Sequence, residues 1–251
     1  MSRLFAFGWH NVLPTFHYPT SGEAIAGIER QFSLIKRWAD VVRLDEMSAD
    51  LRAGRAPRRT TAVLTFDDGY ADALDVIAPI LVSLDLPATF FLVPSFLDGG
   101  HPWWEIDEHG HFGTRMLDWD GASALVAQGF EIGSHTMSHR RLTELSADEQ
   151  LAELSTSGSM LSSRLGVPVV ALAYPFGDAP SVDAGVVESA TAAGYSLAFT
   201  TRPGVFRHGD DPLRIPRFNM DPSRSRRSFD QVPRNWFGKM RSKLSRRPPQ
   251  R

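Results

Sequence analysis

The stretch 61-TAVLTFDDGYAD-72 runs from an apolar segment directly into two adjacent carboxylates, Asp67 and Asp68, and then a glycine. Ala62, Val63, Leu64 and Phe66 read as a buried strand. Two neighbouring acids repel, and burying either without a partner is costly. The end of this strand therefore demands counter-charge from elsewhere in the chain.

Outward from that strand, the pattern alternates. Strand-like runs at residues 4–7, 62–66, 88–93, 131–134, 169–174, 197–200 and 214–218 are interleaved with helical patterns at 23–38, 72–84, 123–128, 147–165 and 183–193. In 23–38, Ile25, Ile28, Phe32 and Ile35 recur at helical spacing, and the helix at 72–84 is expected despite Pro79. This alternation predicts an α/β fold with a mostly parallel sheet or barrel. The long connection at 94–117 carries Gly99-Gly100 and Trp103-Trp104 and has the length of a functional loop.

The totals set the class. With 251 residues, 42% of them hydrophobic, the chain can bury a large core. It has no cysteine, which excludes disulfides and thiolate metal sites. The opening MSRLFAFGWHNV is too briefly apolar for a signal peptide or a membrane span, so a cytoplasmic protein is expected. Residues 231–251 hold seven Lys or Arg and no acid, leaving 20 basic and 29 acidic side chains in the preceding 230. Such an acidic body argues against nucleic acid as a partner. The basic end, with Trp236, Phe237, Met240 and Leu244 at near-helical spacing, reads as a solvated terminal helix or as a weak contact with the inner, anionic membrane face.

The second informative stretch is 131-EIGSHTMSHRRL-142, where His135 and His139 stand four apart just past a short strand. On a helical turn that spacing puts both imidazoles on one face. Two neutral imidazoles and a carboxylate with open positions make a hydrolytic zinc site, and equally the facial triad of non-haem iron. Alone, the histidines read as a surface pair and the acids as a helix N-cap. Both motifs sit at predicted strand C-terminal ends, the edge where parallel α/β folds carry their sites. One carboxylate is then expected to bind a metal with both histidines, and the other to stay free to take a proton from water.

These residues resemble the polysaccharide deacetylases with a NodB-homology domain, carbohydrate esterase family 4. TFDDGY stands intact at residues 65–70, H-[ST]-x-x-H at 135–139, and 118-DWDGASALVAQGFEIGSHTMSH-139 is similar to the family's run into the second motif. The resemblance covers roughly residues 4–220 and implies a distorted (β/α) barrel of about seven strands, with residues 1–220 as the catalytic domain and 221–251 as a basic extension. It implies Asp67 as general base and Asp68, His135 and His139 as ligands of a divalent metal, zinc foremost, with cobalt or nickel also suitable. In 172-LAYPFGD-178 the family's apolar turn is present, and the Phe176 N–H is the implied oxyanion donor. The arginine that often stands at the position of Ala173 is absent. Arg217 is the candidate substitute and Arg214 the second, although either can be a surface charge.

The family's late histidine has no match near the C-terminus, but 4-LFAFGWHNV-12 offers an apolar strand ending on His10. Some members acting on poly-N-acetylglucosamine are circularly permuted with this strand in front. By that likeness His10 is the general acid, against the plainer reading of a packing or surface histidine. Chain ends often lie close together, which makes such a move physically reasonable. Tyr70, Tyr174 and Trp104 are expected to contact sugar, and Trp103 and Trp119 offer further flat faces. The implied reaction removes N-acetyl groups from an N-acetylated oligo- or polysaccharide or a lipid-linked sugar. The competing readings are a metal-dependent amidase on a non-sugar amide, an iron oxygenase and a non-catalytic sugar-binding relic.

Overall fold

The computed structural model describes residues 4–10, 22–55, 59–105 and 113–220. The basic extension at 221–251 lies outside them, as does part of the long loop, 106–112.

Seven parallel strands form a nearly closed barrel: β1 (Leu4–Trp9), β3 (Thr61–Phe66), β4 (Thr89–Leu92), β5 (Glu131–Ser134), β6 (Ala171–Ala173), β7 (Leu197–Phe199) and β8 (Arg217–Asn219). Their spatial order is β7-β6-β5-β4-β3-β1-β8, and β2 (Asp40–Val41) pairs with the start of β3. A parallel bridge between Phe199 and Ile215 joins β7 to the approach of β8. The expected architecture is thus the observed one. Of the helices, α1 (Gly22–Trp38), α5 (Trp119–Ala127), α6 (Ala147–Leu165) and α7 (Ala184–Ala192) were expected, while α2 (Leu44–Arg52) and the single turn α4 (Pro94–Leu97) were not.

Strand parity divides the core in two. Phe5, Phe7 and Trp9 of β1, Ala62, Leu64 and Phe66 of β3, and Phe90 and Leu92 of β4 face outward and pack with Ile28, Phe32 and Ile35 of α1. Leu4, Ala6, Val63, Phe91, Ala171, Ala173, Leu197 and Phe199 face inward, and Leu44 and Met47 of α2 with Phe206 join them. Both faces of the sheet are dry, which is why its strands read as continuous apolar runs. Gly133 of β5 makes room inside the barrel, since a Cβ there would sit 2.3 Å from the Phe91 ring.

Pro79 is accommodated by a widened turn. Ala73–Ile77 forms a π-turn in which the Ala78 N–H reaches back to the Ala73 carbonyl, and α3 (Ala78–Ser83) follows. Proline has no N–H to offer an α-helical ladder, and the wide turn absorbs the mismatch. Helix α6 has the expected bounds because both ends are capped. Ser146 and Glu149 form a capping box, and Gly166 closes the other end in the left-handed conformation, φ 68°.

Candidate active site

The candidate functional side chains converge at the C-terminal edge of the barrel, and the backbone is distorted to bring them there. Five non-glycine residues among those described have positive φ, and four of them belong to this edge: Asp68 (73°), Thr136 (65°), His139 (57°) and Phe176 (61°). Such conformations cost energy, most of all for a β-branched residue such as Thr136, and they cluster where function requires a side chain to be re-aimed. At Asp68 the consequence is direct. Consecutive strand residues point to opposite faces, but the left-handed turn lets Asp67 and Asp68 serve the same site.

Asp68, His135 and His139 are buried and form a compact cluster whose ligand atoms all lie within 4.8 Å of one another. Asp68 Oδ1 stands 3.4 Å from His135 Nε2 and 3.5 Å from His139 Nε2. His135 Nδ1 donates to the Ala173 carbonyl at 2.7 Å, so in the neutral ring it is Nε2 whose lone pair faces the carboxylate. Burial, with His135 next, pushes His139 down to about 4, so it is a neutral donor of electrons. Asp68 Oδ1 and His139 Nδ1 have no hydrogen-bond partner among the described residues. Lone pairs brought together in this way suit a cation, and the donor set is compatible with a divalent metal site.

The two histidines are not on a helical turn as their spacing suggested. Residues 135–140 form an irregular loop in which Thr136 and His139 reverse the chain. The His139 N–H donates to Thr136 Oγ1 at 3.1 Å, and the Ser138 N–H and Oγ both donate to Glu153 of α6, at 2.9 and 2.5 Å. Neither Glu153 nor Arg141, which packs on Phe176, was singled out from the sequence. Glu153 is one of several acids on an amphipathic helix, and Arg141 is one of two adjacent arginines.

Asp67 is clamped from inside the barrel by Arg217. Nη1 donates to Oδ1 at 2.8 Å and Nη2 to Oδ2 at 2.6 Å. Arg217 also donates to Thr65 Oγ1 and the Thr200 carbonyl, between the rings of Phe91 and Phe199. Gly8 lies beside it, where an added Cβ would stand 3.4 Å from the guanidinium. Burial pushes the Asp67 carboxyl up, but the Arg217 guanidinium, helped by His135, outweighs it and holds the group below the usual carboxylate range. Arg214 is turned away onto the carbonyls of Val182 and Asp183. Of the two candidate arginines, Arg217 is the one that meets an acid of the site.

His10 follows β1, whose Trp9 is in register with Phe66 of β3, so it stands beside the paired acids. Its Nδ1 lies 3.1 Å from Asp68 Oδ2, and its ring is 44% exposed. Desolvation lowers its pKa, but the hydrogen bond and charges of Asp68 and the charge of Asp67 outweigh this and raise it.

The aromatic expectations divide. Trp104 lies against His139 with ring centres 4.6 Å apart and donates to the Tyr70 hydroxyl at 3.0 Å, so both belong to the wall of the site, Tyr70 as a buried support. Tyr174 does not line the site. Ala171 and Ala173 take the inward positions of β6, so parity sends Tyr174 outward into a separate cluster with Leu142, Leu154 and Val186, where its hydroxyl donates to the Leu213 carbonyl. Trp103 is 70% exposed beside Trp104, whereas Trp119 is held away by Asp98 and Arg164. Phe176 packs on His139 at 5.2 Å.

Comparison with known proteins fits this geometry. The profile of the family described as polysaccharide deacetylase matches residues 54–198. YxkH of Bacillus subtilis (strain 168) is 22% identical over 219 residues, covering 85% of this chain and 72% of that protein. Among solved structures, IcaB from Ammonifex degensii superposes with a TM-score of 0.71 at 24% identity, covering 89% of this chain and 94% of its own. The Streptococcus pyogenes deacetylase PplD gives 0.70 at 20%, covering 91% and 96%. The structural likenesses, at such low identity, speak to the shared barrel. With the family match across more than half of its length, the chain belongs to the polysaccharide deacetylase family of NodB homology, and its chemistry is carbohydrate deacetylation.

Proposed function

We infer that the chain is a metal-dependent hydrolase that removes the N-acetyl group from an N-acetylhexosamine unit of a glycan or glycan precursor. The observation that carries this reading is the convergence of Asp68, His135 and His139 beside a second acid, Asp67, that is held ionised by Arg217. The three converging side chains would hold a divalent ion, zinc by preference for two imidazoles and a carboxylate in a hydrolase. A metal bound there supplies Lewis-acid polarisation of the acetyl carbonyl and a lowered pKa for water.

The chain's own groups do the rest. Asp67 takes the proton of the attacking water, a role that needs the ionised form Arg217 favours. Phe176 offers its backbone N–H to the developing oxyanion. The turn that presents it is fixed from the barrel side, where Thr201 donates to the carbonyls of Phe176 and Gly177 at 2.7 and 2.9 Å. His10 gives a proton to the departing amine, and its raised pKa keeps the imidazolium closer to neutral pH. The catalytic unit in this reading spans residues 1–220, and its front strand β1 lies between β3 and β8. The absent arginine at Ala173 suggested a sugar-binding relic, and the Arg217–Asp67 pair removes that ground. Among the described residues no helix is long and apolar enough to cross a membrane.

The test is acetate release from chitooligosaccharides, set against a panel of small amides, with zinc supplied. Asp67→Asn is expected to retain zinc and lose about 10²- to 10⁴-fold in rate. His135→Ala is expected to lose the zinc itself. Wild-type turnover by Asp67→Asn would exclude that residue as the base, and turnover of the amides alone would exclude the sugar.

A further inference from the structure

Arg141 lies two residues beyond His139 and takes no part in the chemistry above, yet it joins the second-motif loop to the turn that carries Phe176. Its guanidinium carbon lies 4.1 Å from the centre of the Phe176 ring. That ring also packs against the His139 imidazole, with centres 5.2 Å apart. Nη1 of Arg141 reaches Asp178 Oδ1, two residues past Phe176, at 3.3 Å and donates to Ser181 Oγ as well, while Nε faces Glu144 at 3.6 Å.

The ring is therefore held between a cation and a candidate metal ligand, on a residue whose backbone is left-handed at φ 61°. Thr201 fixes the carbonyl side of this turn, and Arg141 fixes the side-chain side. A planar guanidinium can lie over the ring while its Nη1 reaches both Asp178 and Ser181, whereas an ammonium has no flat face to lay on the ring.

We propose that Arg141 is a positioning residue for the deacetylation reaction: by clamping the Phe176 ring against His139 it holds the Phe176 N–H where the oxyanion forms. The role rests on the deacetylase reading given above.

The test compares Arg141→Leu, Arg141→Lys, Phe176→Ala and the double variant Arg141→Leu/Phe176→Ala on a chitooligosaccharide, with zinc content and unfolding midpoint measured for each. A small misplacement of a catalytic group can cost about 100-fold, so kcat in both Arg141 variants is expected to fall roughly 10- to 100-fold. KM should stay within about twofold and zinc content at the wild-type level, because the lost interaction belongs to the transition state. Lysine should not rescue, since it keeps the charge for Asp178 but not the flat face. The double variant should be no slower than Phe176→Ala, because Arg141 acts through that ring. Wild-type kcat in Arg141→Lys, additive losses in the double variant, or a loss of zinc together with activity would each overturn the role. A wild-type chain that releases no acetate overturns the proposed function and this role with it, whereas an active wild type matched by its Arg141 variants overturns this role alone.

Discussion

Arg217 and Asp67 are 150 residues apart in sequence and share two hydrogen bonds inside the barrel. A buried ion pair is stabilising only if its geometry is good and its remaining donors are met. Here the fork is bidentate, and Thr65 and Thr200 take two of the three remaining N–H groups. Arg217→Met leaves the carboxylate buried without counter-charge and is expected to cost about 3–5 kcal/mol of stability. It should also move the acid limb of kcat/KM to higher pH, because burial raises the Asp67 pKa and the guanidinium is what holds it down. Arg217→Lys, which keeps a charge, covers the case of a poorly folded Met variant. A pH–rate profile with an unmoved acid limb in either variant would detach Arg217 from the titration of Asp67. The acids and histidines were legible because each pair sits in a short local motif whose chemistry is apparent without the fold. Arg217 was legible only as one of two candidates, since its inward aim depends on the parity of β8. Tyr174 was misplaced for the same reason: whether it points into the site is decided by where β6 begins.

At the scale of elements, the loop that carries the two candidate metal ligands depends on a helix that contributes neither. Glu153 of α6 accepts the N–H and hydroxyl of Ser138 through its carboxylate and the Met137 N–H through its carbonyl. It thereby holds the segment between His135 and His139 in a shape that two left-handed residues make costly. Glu153→Ala removes the carboxylate and keeps the carbonyl. It is expected to weaken zinc binding roughly 10-fold, at the lower end of the range for residues that orient metal ligands. Competition with a chromophoric chelator measures this, and an affinity equal to wild type would show that the loop holds itself. The long elements were readable from periodicity and caps, as in α6, and the barrel class followed from their alternation. Three features were not. The loop after β5 mimicked a helical i, i+4 pair, although positive φ at Thr136 and His139 builds it. The π-turn before Pro79 is a response to the missing N–H and has no pattern of its own. Helix α2 is anchored at its start by Glu131, whose carboxylate accepts the N–H groups of Leu44 and Asp45 from 87 and 86 residues away.

For the molecule as a whole, the site ties together segments that the barrel only brings near one another: the end of β3 supplies Asp68, and the loop after β5 supplies both histidines. An ion that binds the folded chain and not the unfolded one stabilises it by mass action, about 2.7 kcal/mol at a hundred times its Kd. For a domain of this size that corresponds to an unfolding midpoint raised by roughly 5–10 °C. The gain should depend on pH with a definite sign. Burial pushes His139 down to about 4 from an ordinary 6.5, so between those values the unfolded chain binds the proton and the folded chain does not. The His139 contribution to the stability of the zinc-free protein is then full above about pH 6.5 and declines as pH falls towards 4. His10, whose pKa is raised, contributes in the opposite sense, its share being lost as pH rises. Asp67, held below the usual carboxylate range, adds a loss of the same sign as that of His139 at still lower pH. Protons also compete with zinc for the imidazoles, so the zinc-dependent increment should shrink over the same interval. Thermal unfolding with zinc and with a chelator, at about pH 7.5 and about pH 5, measures both effects. The expected result is a clear zinc-dependent rise at the higher pH, a smaller one at the lower, and none in His135→Ala. A midpoint indifferent to zinc at the higher pH would mean that these three side chains, close as they are, do not hold an ion.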